Sequence, residues 1–549
     1  MQLIRKPPVT QFPPVPTAWT RAQDRARRMP PPILLVPALA VALLVLSPLV
    51  YLMIRATDSG STLPESLFRA RTLAVTWNTA TLAMAVATSA SLIAVPLAWL
   101  TTRTNLPHQR LWTVLAGLPL VIPSYVGALT IIAALGPRGI VQGWLEGPLD
   151  VERLPSIYGF LGSWLALTLF TYPFVYLSVQ AAFRGLDPAL EEAARCLGMG
   201  PTRTFFQAVL PQLRPAIAAG ALLSALYTVS DFGVVSLMRY DVFTRAVYIQ
   251  YQSSFDRSAA AALALVLVMF TIVMVAGEWW IRGRSRHYRV ATGSPRTQRG
   301  HDLGRWKWLG QGYCGAVFTC SVGIPMFVLM YWMFRGASTG GAANRLVNQA
   351  WNSVTMGLTA AVLTVALALP TAIVSVRHRG KLTTLLERQA YLGYALPGIA
   401  IALAFVYIGA RFIPSLYQTV WLLLIGYAVR FLPQALGAER VSLLQISPRI
   451  EEASRTLGEG MLGTFRRVTV RLATPGLLAG FGLVALTVMK ELPLTMMLAP
   501  IEFETLATGI WQATQTGAYG RAAAPALILI VVSAAPSLIL SQRGLDQST

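Results

Sequence analysis

Twelve apolar runs dominate this chain, and each approaches or exceeds the ~20 residues an α-helix needs to cross the hydrocarbon core of a bilayer. They are Ile33–Ile54, Val75–Leu100, Leu111–Leu135, Tyr158–Ala182, Pro215–Met238 and Ala259–Ile281, followed by Tyr313–Phe334, Ser353–Val376, Ala390–Ala410, Val420–Gly437, Pro475–Leu498 and Ala522–Leu540. In lipid every backbone N–H and C=O must be satisfied within the segment, so such runs predict helices. The fold class expected is an all-α polytopic membrane protein. The runs fall six and six because the chain is internally duplicated. Asp187 to Ile217 recurs without a gap as Ser447 to Leu477, at an offset of 260 residues that sets Glu192 on Glu452, Gly198 on Gly458, Gly200 on Gly460, Phe205 on Phe465 and Pro215 on Pro475. Earlier in each half the offset is 274: Trp77-Asn78-Thr79 falls on Trp351-Asn352-Ser353, Pro96 on Pro370, Arg103 on Arg377 and Pro123 on Pro397. The first half therefore carries 14 extra residues. Length changes belong in loops, and the loop between Leu135 and Tyr158 is the simplest place for them.

Only 12% of the 549 residues are charged, 54% are hydrophobic, and the mean hydropathy is +0.55. A soluble domain carries about 25% charged residues. The net charge of +22 does not read as a nucleic-acid face, because the basic residues sit in short loops between apolar runs rather than in one patch. That is the pattern of the positive-inside rule. It places the N-terminus, Arg103 to Arg110, both polar stretches and the run from Arg282 to Lys307 in the cytoplasm. Gly136 to Ser156 and Arg239 to Ser258, with their acidic residues, fall outside. Two six-helix halves of one orientation form a parallel repeat about an axis along the membrane normal. The organisation expected is a disordered basic cytoplasmic tail (1–31), a first repeat (32–290), a basic linker (291–309) and a second repeat (310–549), with polar loops at about 187–214 and 447–474. The first run is too long for a signal-peptide core of about 7–15 residues and reads as an uncleaved span. Cys196, Cys314 and Cys320 are odd in number, form no disulfide framework, and read as small core residues.

The polar stretch has the chemistry of a short surface helix. Asp187-Pro188 and Ser447-Pro448 supply an N-cap oxygen and a proline at the first helical position. Glu191, Glu192, Glu451 and Glu452 complement the positive helix end. Ala193, Ala194 and Leu197 predict an apolar strip, and Gly198 and Gly200 predict the break that returns the chain to the membrane. A helix tethered at both ends to spans can transmit a push from an external motor.

No phosphate-binding G-x-x-x-x-G-K-[ST] loop occurs, so nucleotide chemistry must reside on another polypeptide. The four histidines, His108, His287, His301 and His378, fall in loops, and no H-E-x-x-H or C-x-x-C is present. Nothing here argues for catalysis.

Glu192-Ala193-Ala194, Gly198 and Ala208-Val209-Leu210-Pro211 resemble the EAA loop of ATP-binding-cassette importer permeases, written EAA-x3-G-x9-I-x-L-P. The second copy keeps Glu452, Ala453 and Gly458, has Ser454 at the second Ala, and lacks the closing Leu-Pro. Two permease halves in one chain resemble the ferric-iron importer permeases and their relatives for thiamine and aminophosphonate. Ser230-Asp231-Phe232-Gly233, Arg239-Tyr240-Asp241 and Ser254-Phe255-Asp256-Arg257-Ser258 resemble the ferric branch most. The resemblance implies a type I importer permease fold in the bacterial inner membrane. It implies two copies of an ATPase subunit docked on the loops through Glu191, Glu192, Ala193, Ala194 and Gly198 and through Glu451, Glu452, Ala453, Ser454 and Gly458. An extracytoplasmic binding protein would deliver the cargo. No cofactor would be bound by this chain, ATP-Mg belonging to the partner. Asp231 and its counterpart Glu491 are ionisable residues inside spans, and such residues default to a functional reading. They are candidates for a cation path, set against a structural ion pair of Glu491 with Lys490 or another helix. No metal site is assigned. A gradient-driven secondary transporter is the alternative of a different class, and it would not need the duplicated loop.

Overall fold

The structure is a computed structural model that describes residues 30–57, 70–137, 139–149, 154–186, 188–253, 257–283, 301–336, 342–378 and 380–546. The N-terminal tail, most of the basic linker, Asp187 and the Ser254-Phe255-Asp256 motif lie outside these residues. The first half consists of α1 (Pro32–Thr57), α2 (Ala70–Arg103), α3 (Gln109–Gly117), α4 (Ser124–Leu135), α5 (Ile140–Leu149), α6 (Phe160–Gly185), α7 (Pro188–Cys196), α8 (Leu210–Ser230), α9 (Gly233–Leu237), α10 (Phe243–Ser253) and α11 (Arg257–Gly283). The second half repeats it as α12 (Lys307–Phe318), α13 (Ile324–Gly336), α14 (Ala342–Arg377), α15 (Lys381–Ala395), α16 (Gly398–Phe412), α17 (Val420–Gln445), α18 (Pro448–Thr456), α19 (Val470–Met489), α20 (Pro493–Leu498), α21 (Leu506–Gln515) and α22 (Tyr519–Asp546). Among the described residues ten helical stretches are long and apolar enough to cross a membrane. An eleventh is the pair Lys381–Gly393 and Gly398–Phe412, bent by 100°, and Tyr519–Ala534 is shorter. Each of the twelve apolar runs thus holds one of these helical segments.

Four details depart from the expectations. The runs Leu111–Leu135 and Ala390–Ala410 are not straight spans. Each breaks at its matched proline, where Pro123 and Pro397 hold ψ of 139° and 144°, and a proline pushes the residue before it out of the helical region. The extra residues of the first half form a helix, α5, whose Trp144 ring lies 6.2 Å from that of Phe327 in α13. Arg239–Ser258, read as an outer loop, contains α10, and its counterpart between the runs Pro475–Leu498 and Ala522–Leu540 contains α21; Phe243, Thr244, Leu506 and Ile510 on them are fully buried. Of the cysteines only Cys314 is in the core; Cys196 and Cys320 are exposed.

Each half's first helix packs on the other half. α1 lies against α14, α15 and α16, and α12–α13 against α2, α3 and α4. Tyr51 stacks on Tyr407 at 4.6 Å, and Tyr313 Oη donates to the Ile93 carbonyl at 2.9 Å. The end of the linker joins this exchange, since His301 N–H donates to Arg103 O at 2.7 Å and its own carbonyl accepts from Asn105 N–H at 3.1 Å. The halves therefore cannot separate without exposing apolar helix faces.

The repeated Trp-Asn-(Thr/Ser) acquires a role at the end opposite the polar loops. Asn78 Nδ2 donates to Asp241 O at 3.0 Å and Asn352 Nδ2 to Glu504 O at 2.9 Å. Thr79 Oγ1 accepts from Phe243 N–H at 3.2 Å and Ser353 Oγ from Leu506 N–H at 2.8 Å. These bonds fasten α10 to α2 and α21 to α14 by capping the first turn of the buried helix. Arg345 donates to both oxygens of Glu504, at 2.8 and 2.5 Å, and holds its carboxyl below the usual range. That contribution is present at neutral pH and is lost as pH falls through the depressed folded value. Asn352→Ala is expected to cost about 1 kcal/mol, the net worth of one hydrogen bond, read as a lowered Tm of the purified protein in nanodiscs.

Candidate functional site

The duplicated polar stretch forms two handles, α7 and α18, each tied to the end of a long helix, α2 or α14. The two glutamates of each handle have different tasks. Glu451 Oε1 accepts from Arg377 Nη2 and from Thr469 Oγ1, both at 3.0 Å. Arg377 Nη1 also donates to Ile446 O at 3.0 Å. In the first half Arg103 Nη2 donates to Phe183 O at 3.0 Å, and its Nη1 lies 3.9 Å from Glu191 Oε2. Glu191 takes a closer bond from Arg195 at 2.7 Å. One arginine at the end of α2 or α14 thus ties three pieces together: its own helix, the residues that follow or close α6 or α17, and the handle. The cation also meets the negative end of the neighbouring helix. Glu192 and Glu452 are exposed and point away from the bundle.

The apolar strip expected from Ala193, Ala194 and Leu197 is split. Ala194 is buried, Ala193 and Ala453 are exposed, and Ser454 turns inward to bond Thr464 at 3.2 Å. Leu197 is 80% exposed and Leu457 85%, so each handle presents a bare leucine beside a free glutamate. The break after each helix belongs to one glycine. Gly198 and Gly458 have φ of +78° and +91°, and the next N–H bonds back to Ala194 O at 3.1 Å and Ser454 O at 3.2 Å, the closure that favours glycine. Gly460 has φ of −68° and opens the next helical turn instead. Ser447 has the extended conformation of an N-cap, but its side chain makes no cap bond. Both copies then re-enter through a π-helical turn, Phe205–Val209 and Phe465–Thr469. The second copy has Val470-Arg471 in place of Leu-Pro and keeps the same exit, so the wide turn rather than the proline sets it.

A polar cluster lies where the two halves meet. The runs Pro215–Met238 and Pro475–Leu498 are interrupted here: α8 stops at Ser230 and α19 at Met489. Asp231 Oδ1 accepts from Val234 N–H at 2.8 Å, and Oδ2 from Ser124 Oγ at 2.5 Å. Glu491 Oε1 accepts from Leu494 N–H at 3.4 Å, and Oε2 lies 3.2 Å from Arg430 Nε. Each carboxylate therefore opens the short helix that follows it, at the end where anions are favoured. Ser124 also accepts from Tyr227 Oη at 3.0 Å. At the position matching Ser124 stands Gly398, where a Cβ would come within 2.7 Å of both Arg430 and Glu491. The glycine leaves room for the ion pair. Lys490 Nζ reaches across to Leu120 O at 3.1 Å.

The cluster is not symmetric. Arg430 matches Phe170 and Lys490 matches Ser230 at the 260 offset, so both cations come from the second half. Arg430 lies inside the run Val420–Gly437, where an ionisable residue is itself a signal; sequence reasoning passed over it, and over Ser124. Of the two readings of Glu491, the ion pair is present, with Arg430 rather than Lys490. On the handle side of the cluster one stripe of each helix is open. Leu223 is 43% and Tyr227 37% exposed on α8, Leu483 is 42% exposed on α19, and Thr487 is half-buried. Lys490, at the end of the α19 stripe, touches the opposite half at Leu120. Beyond the cluster Phe232, Val234 and Val235 are buried, and the Phe232 ring lies 5.3 Å from that of Trp511. The exposed positions lie on the handle side of the carboxylates and the buried ones beyond them, so a cleft between α8 and α19 would open toward the handles. Among the described residues no group of three or more His, Cys, Asp or Glu could hold a metal ion.

The chain matches the family described as "Binding-protein-dependent transport system inner membrane component" twice, over residues 90–284 and 364–547. It is 34% identical to the Fe(3+)-transport system permease protein FbpB 2 of Haemophilus influenzae, over 94% of this chain and 99% of that protein. It is 26% identical to the ferric transport system permease protein FbpB of Actinobacillus pleuropneumoniae, over 76% of this chain and 63% of the relative. One third of it, 33%, aligns at 31% identity with 65% of the sulfate transport system permease protein CysT of Escherichia coli. The two matched segments lie one in each half, each holding one handle and one half of the polar cluster. The chain belongs to the binding-protein-dependent transport system inner membrane component family, as a fused permease with two type I domains.

Proposed function

We propose that this permease carries ferric iron across the inner membrane as the transmembrane subunit of an ATP-binding-cassette importer. The iron assignment rests on the likeness to the two ferric permeases. The N-terminus is cytoplasmic, the handles face the cytoplasm, and an extracytoplasmic binding protein loads the closed end. Two copies of an ATPase, carrying ATP-Mg, dock one on each handle. Glu192, Ala193, Leu197, Glu452, Ala453 and Leu457 touch them. Glu191, Ala194 and Gly198, with Glu451, Ser454 and Gly458, shape each handle and tie it to the bundle. Asp231 and Glu491 line the path. ATP-driven closure draws the handles together, and the arginine ties at Arg103 and Arg377 pass that motion to α2, α6, α14 and α17.

The observation that carries this reading is the duplicated handle, held from behind by an arginine and bare on its outward face. The test is uptake of radiolabelled iron by liposomes holding the permease with its ATPase and binding protein. Uptake is expected to require ATP and both partners, and to fall at least tenfold in D231N/E491Q at normal protein level. Uptake driven by an ion gradient without ATP would establish the secondary-transporter class instead, and unimpaired uptake by the double variant would remove the two carboxylates from the path.

A further inference from the structure

Lys490 stands apart from the other charges of the cluster. Asp231 is held by Ser124 and the Val234 N–H, and Glu491 by Arg430. The Lys490 ammonium has one polar partner among the described residues, the Leu120 carbonyl at 3.1 Å, and no carboxylate within ion-pair distance. An ammonium carries three donors, so two remain unmatched. Leu120 belongs to the opposite half. Any movement that opens the cleft between the halves at this level draws Lys490 away from that carbonyl and leaves a bare cation facing the passage. A lone charge there is costly; the position matching Lys490 in the first half is Ser230, and the two nearby acids are held elsewhere, Asp231 by Ser124 and the Val234 N–H and Glu491 by Arg430. One turn below on the same stripe stand only neutral groups, Thr487 bonded to Gln434 at 2.9 Å.

The structure assigns to Lys490 a specificity role: we propose that what crosses this level presents anionic oxygen to the ammonium, so that ferric iron passes with oxyanion or carboxylate ligands still attached rather than as a bare cation. This rests on the cleft being the path. The arriving ligand takes the place of the Leu120 carbonyl, which lets the passage open without stranding the charge. A hard ferric ion keeps oxygen ligands by preference, and it would be repelled by Lys490 without them.

The complete importer on a solid-supported membrane reports both iron uptake and charge moved. Wild type is expected to move less positive charge per iron than the full ferric charge. K490R should retain uptake, while K490Q and K490M should lose it by about tenfold or more, the equivalent of ~1.4 kcal/mol. Transfer of the full ferric charge by wild type overturns the proposal, as does normal uptake by folded K490Q or K490M. Failure of the underlying path reading is read separately. If Tyr227→Cys resists a membrane-impermeant thiol reagent in every nucleotide state, the cleft is not the path. If it is labelled while Lys490 variants transport normally, only the role of Lys490 falls.

Discussion

Replacing both bare leucines of the handles, Leu197→Asp with Leu457→Asp, is expected to abolish ATP-driven uptake while leaving the permease folded and abundant. Each side chain is more than three-quarters exposed, so neither supports the bundle, and surface substitutions of this kind change stability by about 0.5 kcal/mol or less. A leucine that becomes buried in a partner's groove is worth ~1.5–3 kcal/mol, and a buried unpaired aspartate adds a penalty. Each loss bears on one ATPase copy and amounts to about tenfold or more in that copy's affinity, at ~1.4 kcal/mol per tenfold. Co-purification of the ATPase and liposome uptake are the measurements, with Tm of the permease alone as the control. The single variants are expected to differ in degree, because the second handle is tied more tightly, by Arg377 at 3.0 Å against 3.9 Å for Arg103. Retention of ATPase binding by the double variant would mean that the handles do not dock the motor.

Arg430→Ala is expected to be the most destabilising single change in the cluster. Its guanidinium is the cationic partner of Glu491, whose side chain is 8% exposed. Removing one member of a buried pair leaves an uncompensated charge and costs ~3–5 kcal/mol. Low yield and a sharp fall in Tm should follow. Arg430→Ala combined with Glu491→Gln should recover part of that loss, because the second change removes the stranded charge, and a double-mutant cycle reads the coupling. Phe170 occupies the matching place in the first half. For that reason Arg430→Phe with Glu491→Gln tests whether an apolar packing solution suffices for folding, while transport by the same variant asks whether the pair also serves passage. Equal stability of Arg430→Ala and wild type would show that the pair contributes nothing to the fold.

The duplicated pattern of apolar length, proline, glycine and glutamate was legible without coordinates because each feature acts locally. Twenty apolar residues must satisfy their own backbone in lipid, a glycine after a short helix accepts positive φ, and a proline stops what precedes it. Helix identity, the two repeats and the handles at Glu192 and Glu452 all follow from such local rules; the breaks at Pro123 and Pro397 were not read from the sequence, although the proline that sets each is local. The meaning of the other matched residues was not local. Arg103 and Arg377 repeat in the sequence, but only the bundle brings them to Glu191 and Glu451, some 74 to 88 positions away. The Trp-Asn-(Thr/Ser) repeat reaches its helix caps across more than 150 residues. The stretches holding α10 and α21, too polar to read as spans, became buried helices because neighbouring helices cover them. Tertiary structure alone decided which charges pair. Arg430 meets Glu491 through helix crossing, whereas Lys490, adjacent to Glu491 in sequence, leaves the helix in another direction and finds a carbonyl of the opposite half. Periodicity along one helix determines which residues share a face, but the residue opposite that face is set by packing between helices far apart in the chain.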